Sequence, residues 1–225
     1  MFLRVQNLNK QFKNDSAKKV IHDLSFELEL GLILGIAGES ECGKSTLARI
    51  LLKLLNPSSG QVLINDSNIF KYSKTELREF RACSRMIFQS PDVVLNPGMT
   101  IEQILTESLN VRKKNQYSNL KDELENLLHT VKLPNSILNK YPREISGGEK
   151  KRISIARAFG TKPEFIIADE PFSALDASSR GFICQLFQNF KKQNNALTMI
   201  IISHDNSILK LLCDKIEIMV NGKFI

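Results

Sequence analysis

The chain has 225 residues, 42% hydrophobic and 24% charged, with a formal net charge of +7 from 31 basic and 24 acidic residues. That is a globular mix for one large α/β domain or two small ones. It contains no apolar run long enough to cross a bilayer, and its four cysteines are spaced for neither a zinc site nor a disulfide framework. The basic surplus is spread along the chain, so it reads equally as a solvated surface or as a preference for an acidic partner. The first residues, Met1 to Gln6, lack a signal-peptide layout, which points to a cytosolic chain.

In chain order, Leu3-Val5 and Ile21-Leu24-Phe26-Leu28-Leu30 alternate apolar and polar positions. They predict antiparallel strands joined by a polar loop from Lys13 to Lys19. Leu32 to Ala37 reads as a buried strand and Leu47 to Leu55 as a helix. Pro57 to Gly60 turns into a short strand, Gln61 to Asn65. A short helix over Leu77 to Ala82 precedes the strand Met86-Ile87-Phe88, which ends at Gln89-Ser90-Pro91. From about Met99 to Phe159 the spacing is helical: Ile101, Ile104, Leu105 and Leu109, then Leu120, Leu124, Leu127 and Leu128. Strands return at Phe165 to Ala168, Thr198 to Ile202 and Ile216 to Val220, with a helix near Phe182 to Lys192. The predicted layout is one domain over 1–225, a mostly parallel α/β core (about 1–91 and 160–225) interrupted by a helical subdomain (about 92–159).

Between the buried strand and its helix lies Gly38-Glu39-Ser40-Glu41-Cys42-Gly43-Lys44-Ser45-Thr46. It fits G-x-x-x-x-G-K-[ST], a loop whose amides wrap a phosphate chain at a helix N-terminus. Lys44 is placed to reach the β- and γ-phosphates and Ser45 to hold Mg²⁺. The strand Phe165 to Ala168 ends in two carboxylates. Asp169 suits support of Mg²⁺, and Glu170 suits orientation or deprotonation of an attacking water. A second cradle precedes the helical run Lys150 to Phe159, where Ser146 caps the helix and Gly147-Gly148 bare its amides. Alone, Ser-Gly-Gly is an ordinary capped turn. One nucleotide hardly needs two cradles, so this one suits the nucleotide of a neighbouring subunit.

These motifs, in this order over nearly the whole chain, resemble the ATP-binding subunit of an ABC transporter. The resemblance implies a P-loop NTPase (RecA-like) core with an N-terminal antiparallel β subdomain and a helical insertion. It also implies ATP and Mg²⁺ as ligands. Phe12 matches the adenine-stacking aromatic and Gly38 to Thr46 the Walker A loop. Gln89 matches the Q-loop glutamine, which senses Mg²⁺ and the attacking water. Ser146 to Glu149 matches the signature motif, with Glu149 where glutamine is commoner. Asp169 and Glu170 match the Walker B aspartate and the catalytic glutamate, Asp176 the D-loop and His204 the switch histidine. The implied partners are membrane-spanning permease subunits, a second ATPase subunit (identical or related) and, indirectly, a solute-binding protein. No nucleic-acid partner is expected, and the implied place is the cytoplasmic face of the cell membrane.

Val94 to Thr100 and Tyr141 to Gly148 resemble the dipeptide, oligopeptide and nickel uptake class. The chain stops soon after its last predicted strand, as in a short, nickel-type or metallophore-type subunit or a shortened chain. Glu41 departs from the family, where glycine is usual. A carboxylate about 6 Å from one phosphate charge costs about 3 kcal/mol at an effective dielectric near 20, roughly a hundredfold in affinity, before screening. Cys42 is a potentially reactive thiol at a helix N-terminus or simply a small filler. Two rival readings remain open: a non-transport ABC ATPase acting on ribosomes or DNA, and a weakly catalytic regulatory half. The cargo is not legible from these residues.

Overall fold

A computed structural model describes residues 2–12, 19–111 and 120–225. Most of the expected polar loop, 13–18, lies outside the described residues. Strands β1 (Leu3–Gln11) and β2 (Lys19–Leu28) pair antiparallel, as their alternation predicts. With β4 (Ser59–Ile64) and β5 (Ser67–Asn68) they make a four-stranded sheet in the order β2-β1-β4-β5.

The second sheet has six strands. Parallel to one another are β6 (Ser84–Ile87), β7 (Phe165–Asp169), β8 (Thr198–Ile202), β3 (Ile33–Ala37) and β9 (Lys215–Val220), and β10 (Lys223–Phe224) adds an antiparallel edge. The order is β10-β9-β3-β8-β7-β6. Every residue of β3, β7 and β8 is buried, which is why these strands read as unbroken apolar runs rather than alternations.

The period of two survives in where the side chains go. Phe165, Ile167, Ile200 and Ile202 join a core shared with α1 (Lys44–Leu51) and the antiparallel sheet. Ile166, Ala168, Met199 and Ile201 face the opposite core. That core also holds α3 (Ile101–Asn110), α4 (Leu120–Thr130), α5 (Gly147–Phe159), α6 (Ala177–Gln193) and α7 (Asn206–Leu212). Helix α2 (Lys74–Cys83) leads into β6 behind a Ser73–Glu76 capping box.

Two helix boundaries and two short elements are the clearest departures from the sequence reading. Helix α1 ends at Leu51 rather than Leu55, because Lys53 turns left-handed (φ 51°) and the amides of Leu54 and Leu55 both fold back onto Arg49 O. Helix α6 starts five residues before Phe182, since Asp176 caps it ahead of the first apolar repeat. Helix α7 is a short element capped by Asp205. Strand β10 follows the Asn221-Gly222 turn, whose two positive φ values (47° and 78°) close a tight hairpin. Among the described residues no helix is long and apolar enough to cross a membrane.

Candidate functional site

The C-terminal ends of β3, β6, β7 and β8 open on one cleft of about 400 Å³. Parallel α/β sheets bind ligands at this end. Ser40, Glu41, Gly43, Lys44, Ser45, Thr46, Gln89, Asp169, Glu170 and His204 line it, so four separate sequence motifs converge there. Val20 also lines the cleft, and nothing in the sequence singled it out.

Strand β3 delivers the loop. Gly38 takes φ 150°, and a Cβ there would stand 2.3 Å from Met219 O. Gly43 takes φ 111° beside Val20 O. No side chain caps α1 and no acid sits in its first turn, so its free amides and dipole face the cleft. Lys44 is buried, and its Nζ donates to Gly38 O (2.7 Å) and Glu39 O (2.6 Å). Cys42 Sγ lies 3.7 Å from the same ammonium. Glu41 does adopt the left-handed backbone that the loop requires, φ 64°, at a cost of about 1 kcal/mol relative to glycine. Its side chain is exposed, which reduces the charge penalty expected from the sequence.

Strand β7 delivers the carboxylates. Asp169 is buried and accepts a hydrogen bond from Ser45, while its Oδ1 has no partner. Burial raises its pKa, against the lowering effect of Ser45. A buried, half-satisfied carboxylate beside a serine hydroxyl fits a hard divalent cation such as Mg²⁺. Glu170 turns left-handed (φ 46°) as its amide bonds Ile202 O. His204 Nδ1 lies 2.9 Å from Glu170 Oε2, and since a carboxylate only accepts, the imidazole donates. Glu170 is nearly buried and His204 largely exposed, so the histidine hands an inner carboxylate outward.

Eight expected residues are not in this lining: Gly38, Glu39 and Cys42 belong to the loop itself, and five lie away from it. Phe12 follows the last residue of β1, exposed, with Lys10 Nζ over its ring at 4.9 Å. Asp176 is occupied as the α6 cap, accepting from Ser178 Oγ, Ser179 N and Ser179 Oγ, and these bonds hold its carboxyl well below the usual range. Ser146 caps α5 in a capping box with Glu149, its Oγ 2.8 Å from Glu149 Oε2. The bonds from Ser146 N and Oγ keep Glu149 below the usual carboxyl pKa. Gly147 and Gly148 line a second groove of about 630 Å³, which Gln89 shares with the cleft. Gln89 therefore stands at the junction of the two cradles.

Lys151 is the site neighbour that sequence reasoning missed. It is buried behind Gln89 and Glu170, and burial pushes its pKa down to about 8 against the pull of Asp169 and Glu170. Its signal was available: Lys151, Ser154, Ile155 and Ala158 form one stripe of the broadly buried helix α5, and lysine is unusual there.

Known proteins resemble this chain over nearly its whole length. The family model described as ABC transporter matches residues 21–173. Oligopeptide transport ATP-binding protein OppF of Bacillus subtilis is 40% identical over 99% of this chain and 74% of its own length. A putative peptide import ATP-binding protein of Brucella ovis is 36% identical over 98% of this chain and 70% of its own. Among solved structures, the dimeric ATP-binding cassette MJ0796 bound to ADP and Pi superposes with a TM-score of 0.89 at 24% identity, covering 99% of this chain and 96% of that one. CbiO1 from Clostridium perfringens, part of an ABC transporter complex, gives 0.83 at 28% identity over 100% and 86%.

Proposed function

Since the chain belongs to the ABC transporter family and is an ATPase subunit of it, we propose that it binds ATP with Mg²⁺ in the α1 cleft and hydrolyses it under cover of a second cassette. The observation that carries this reading is the meeting of Lys44, Ser45, Gln89, Asp169, Glu170 and His204 in one cleft. Lys44 exchanges its two loop carbonyls for the β- and γ-phosphates. Ser45, Asp169 and Gln89 are the residues that would hold Mg²⁺, which when bound would supply charge neutralisation at the transferring phosphoryl group. Glu170 orients and polarises the attacking water, and His204 fixes that carboxylate and reaches the γ-phosphate. Phe12, exposed just after β1, stacks on the adenine.

Ser146, Gly147 and Gly148 cover the γ-phosphate of the facing cassette, and Asp176 lies along that interface. Support comes from the glycines: an added Cβ at either would meet nothing within 4 Å in this chain. The facing cassette is a copy of this chain or a related one, and membrane-spanning permease subunits dock near Gln89 at the cytoplasmic face. A solute-binding protein supplies the cargo, and the likeness to oligopeptide and peptide import ATP-binding proteins favours a peptide over nickel or a metal chelate.

Phosphate release from Mg-ATP by the purified chain tests the reading. Glu170→Gln is expected to bind ATP with unchanged affinity and to lose hydrolysis by about a hundredfold or more. Substantial hydrolysis in that variant moves the catalytic role to another group.

A further inference from the structure

Lys151 has no carboxylate within ion-pair distance among the described residues. Its ammonium is satisfied instead by main-chain carbonyls from two elements of the site. Nζ donates to Gln89 O at 2.9 Å, Phe88 O at 3.3 Å and Glu170 O at 3.3 Å. The side chain is only 3% exposed. A buried ammonium is costly, and an apolar side chain would fill the same helix face at lower cost. The lysine is therefore informative for what it joins. Glu170 O also accepts from Ser173 N and Ser173 Oγ, so the turn that aims the Glu170 carboxylate is held by three donors from two directions. On the preceding residue of α5, Lys150 Nζ bonds Asp92 Oδ1 at 2.8 Å. Two consecutive lysines thus fasten the first turns of α5 to the Gln89–Asp92 turn, one from inside and one from the surface.

We propose that Lys151 is a positioning residue for hydrolysis: it clamps the main chain at Gln89 to the main chain at Glu170 and ties both to α5. Contact at the open N-terminus of α5 then bears directly on the two groups that orient water, while the phosphate loop, which Lys151 does not touch, is left alone. The inference rests on the roles proposed above for Gln89 and Glu170.

The test compares the purified full chain with Lys151→Met, which removes every donor, and Lys151→Gln, which keeps amide donors. Steady-state phosphate release gives kcat and KM, titration with trinitrophenyl-ATP gives Kd, and amide exchange follows 88–93 and 170–174. For Lys151→Met, kcat is expected to fall tenfold or more with Kd within twofold. Exchange is expected to rise in those two segments and not in 38–46. Lys151→Gln, whose shorter amide reaches fewer of the three carbonyls, is expected to keep about a third of the wild-type rate. A Lys151→Met kcat within twofold of wild type overturns the proposal. So does parallel loss of kcat and Kd that Lys151→Gln fails to relieve, which marks plain destabilisation. Where Lys151→Met does not fold, Lys151→Gln decides: unchanged kcat overturns the proposal, and a threefold fall at constant Kd supports it. Absence of hydrolysis in wild type removes the functional reading and this inference together, whereas equal rates remove this inference alone.

Discussion

Two helices in this molecule begin with glycine-rich, anion-suited N-termini, and they are built in opposite ways. Ahead of α1, Gly38 and Gly43 take φ values of 150° and 111°, and an added Cβ at either would stand under 3.0 Å from a carbonyl oxygen. Those glycines are required by the chain's own packing. At α5, Gly147 and Gly148 are ordinary helical residues with open space around them. Glycine there costs helix stability, roughly 1 kcal/mol per position against alanine, with no internal return. The first cradle is complete within one chain. The second makes sense only when something from outside approaches the backbone closely, and a facing nucleotide is such a thing.

The largest expected effect comes from the crowded cradle. Gly43→Ala forces a left-handed backbone and places a methyl against Val20 O. It should cost about 2 kcal/mol or more of stability and weaken ATP binding beyond a hundredfold. Calorimetric titration and thermal melting check both, and retained binding would erase the contrast between the two helices. Next comes the open cradle. Gly148→Ala should raise stability by roughly 0.5–1 kcal/mol and leave ATP affinity unchanged. It should nonetheless cut hydrolysis tenfold or more, so full activity in that variant would leave the open glycines without a role.

A smaller effect belongs to Glu41, whose carboxylate borders the crowded cradle while its side chain reaches solvent. Glu41→Gly should tighten ATP binding about three- to tenfold, since both the left-handed backbone and the charge favour glycine. An identical Kd would show that the departure is silent. The smallest concerns the surface fastening of α5. Asp92→Ala breaks the pair with Lys150, which is exposed on the Asp92 side, and should shift stability by less than about 0.5 kcal/mol. A larger shift, seen by denaturant melting, would mean that the open cradle is braced more firmly from outside than within.

What the sequence made legible follows from how local each feature is. The phosphate loop, the Asp169-Glu170 strand end and the Ser146 cap are each specified by consecutive residues, so they were readable with their neighbours. The buried parallel strands were readable because both faces are covered, which leaves continuous apolar runs. Helix α1 was overextended because Leu54 and Leu55 continue its apolar pattern after the backbone has already turned at Lys53. Helix α6 was started late because its first turn, Ala177-Ser178-Ser179-Arg180, is polar and is set by the Asp176 cap. Val20 escaped because only tertiary packing brings a β2 residue to the α1 cleft, and Lys151, although its place on a buried face of α5 was legible, because the carbonyls it meets under β6 and β7 are set by that packing.

The central claim is that the two cradles of one chain serve two different nucleotides. It is tested most directly by the specific ATPase activity of the purified chain over a hundredfold range of protein concentration. Phosphate released per chain should rise with concentration as facing cassettes meet, and Gly148→Ala should flatten the rise at unchanged ATP affinity. A specific activity that is constant across the range and the same in Gly148→Ala would contradict it.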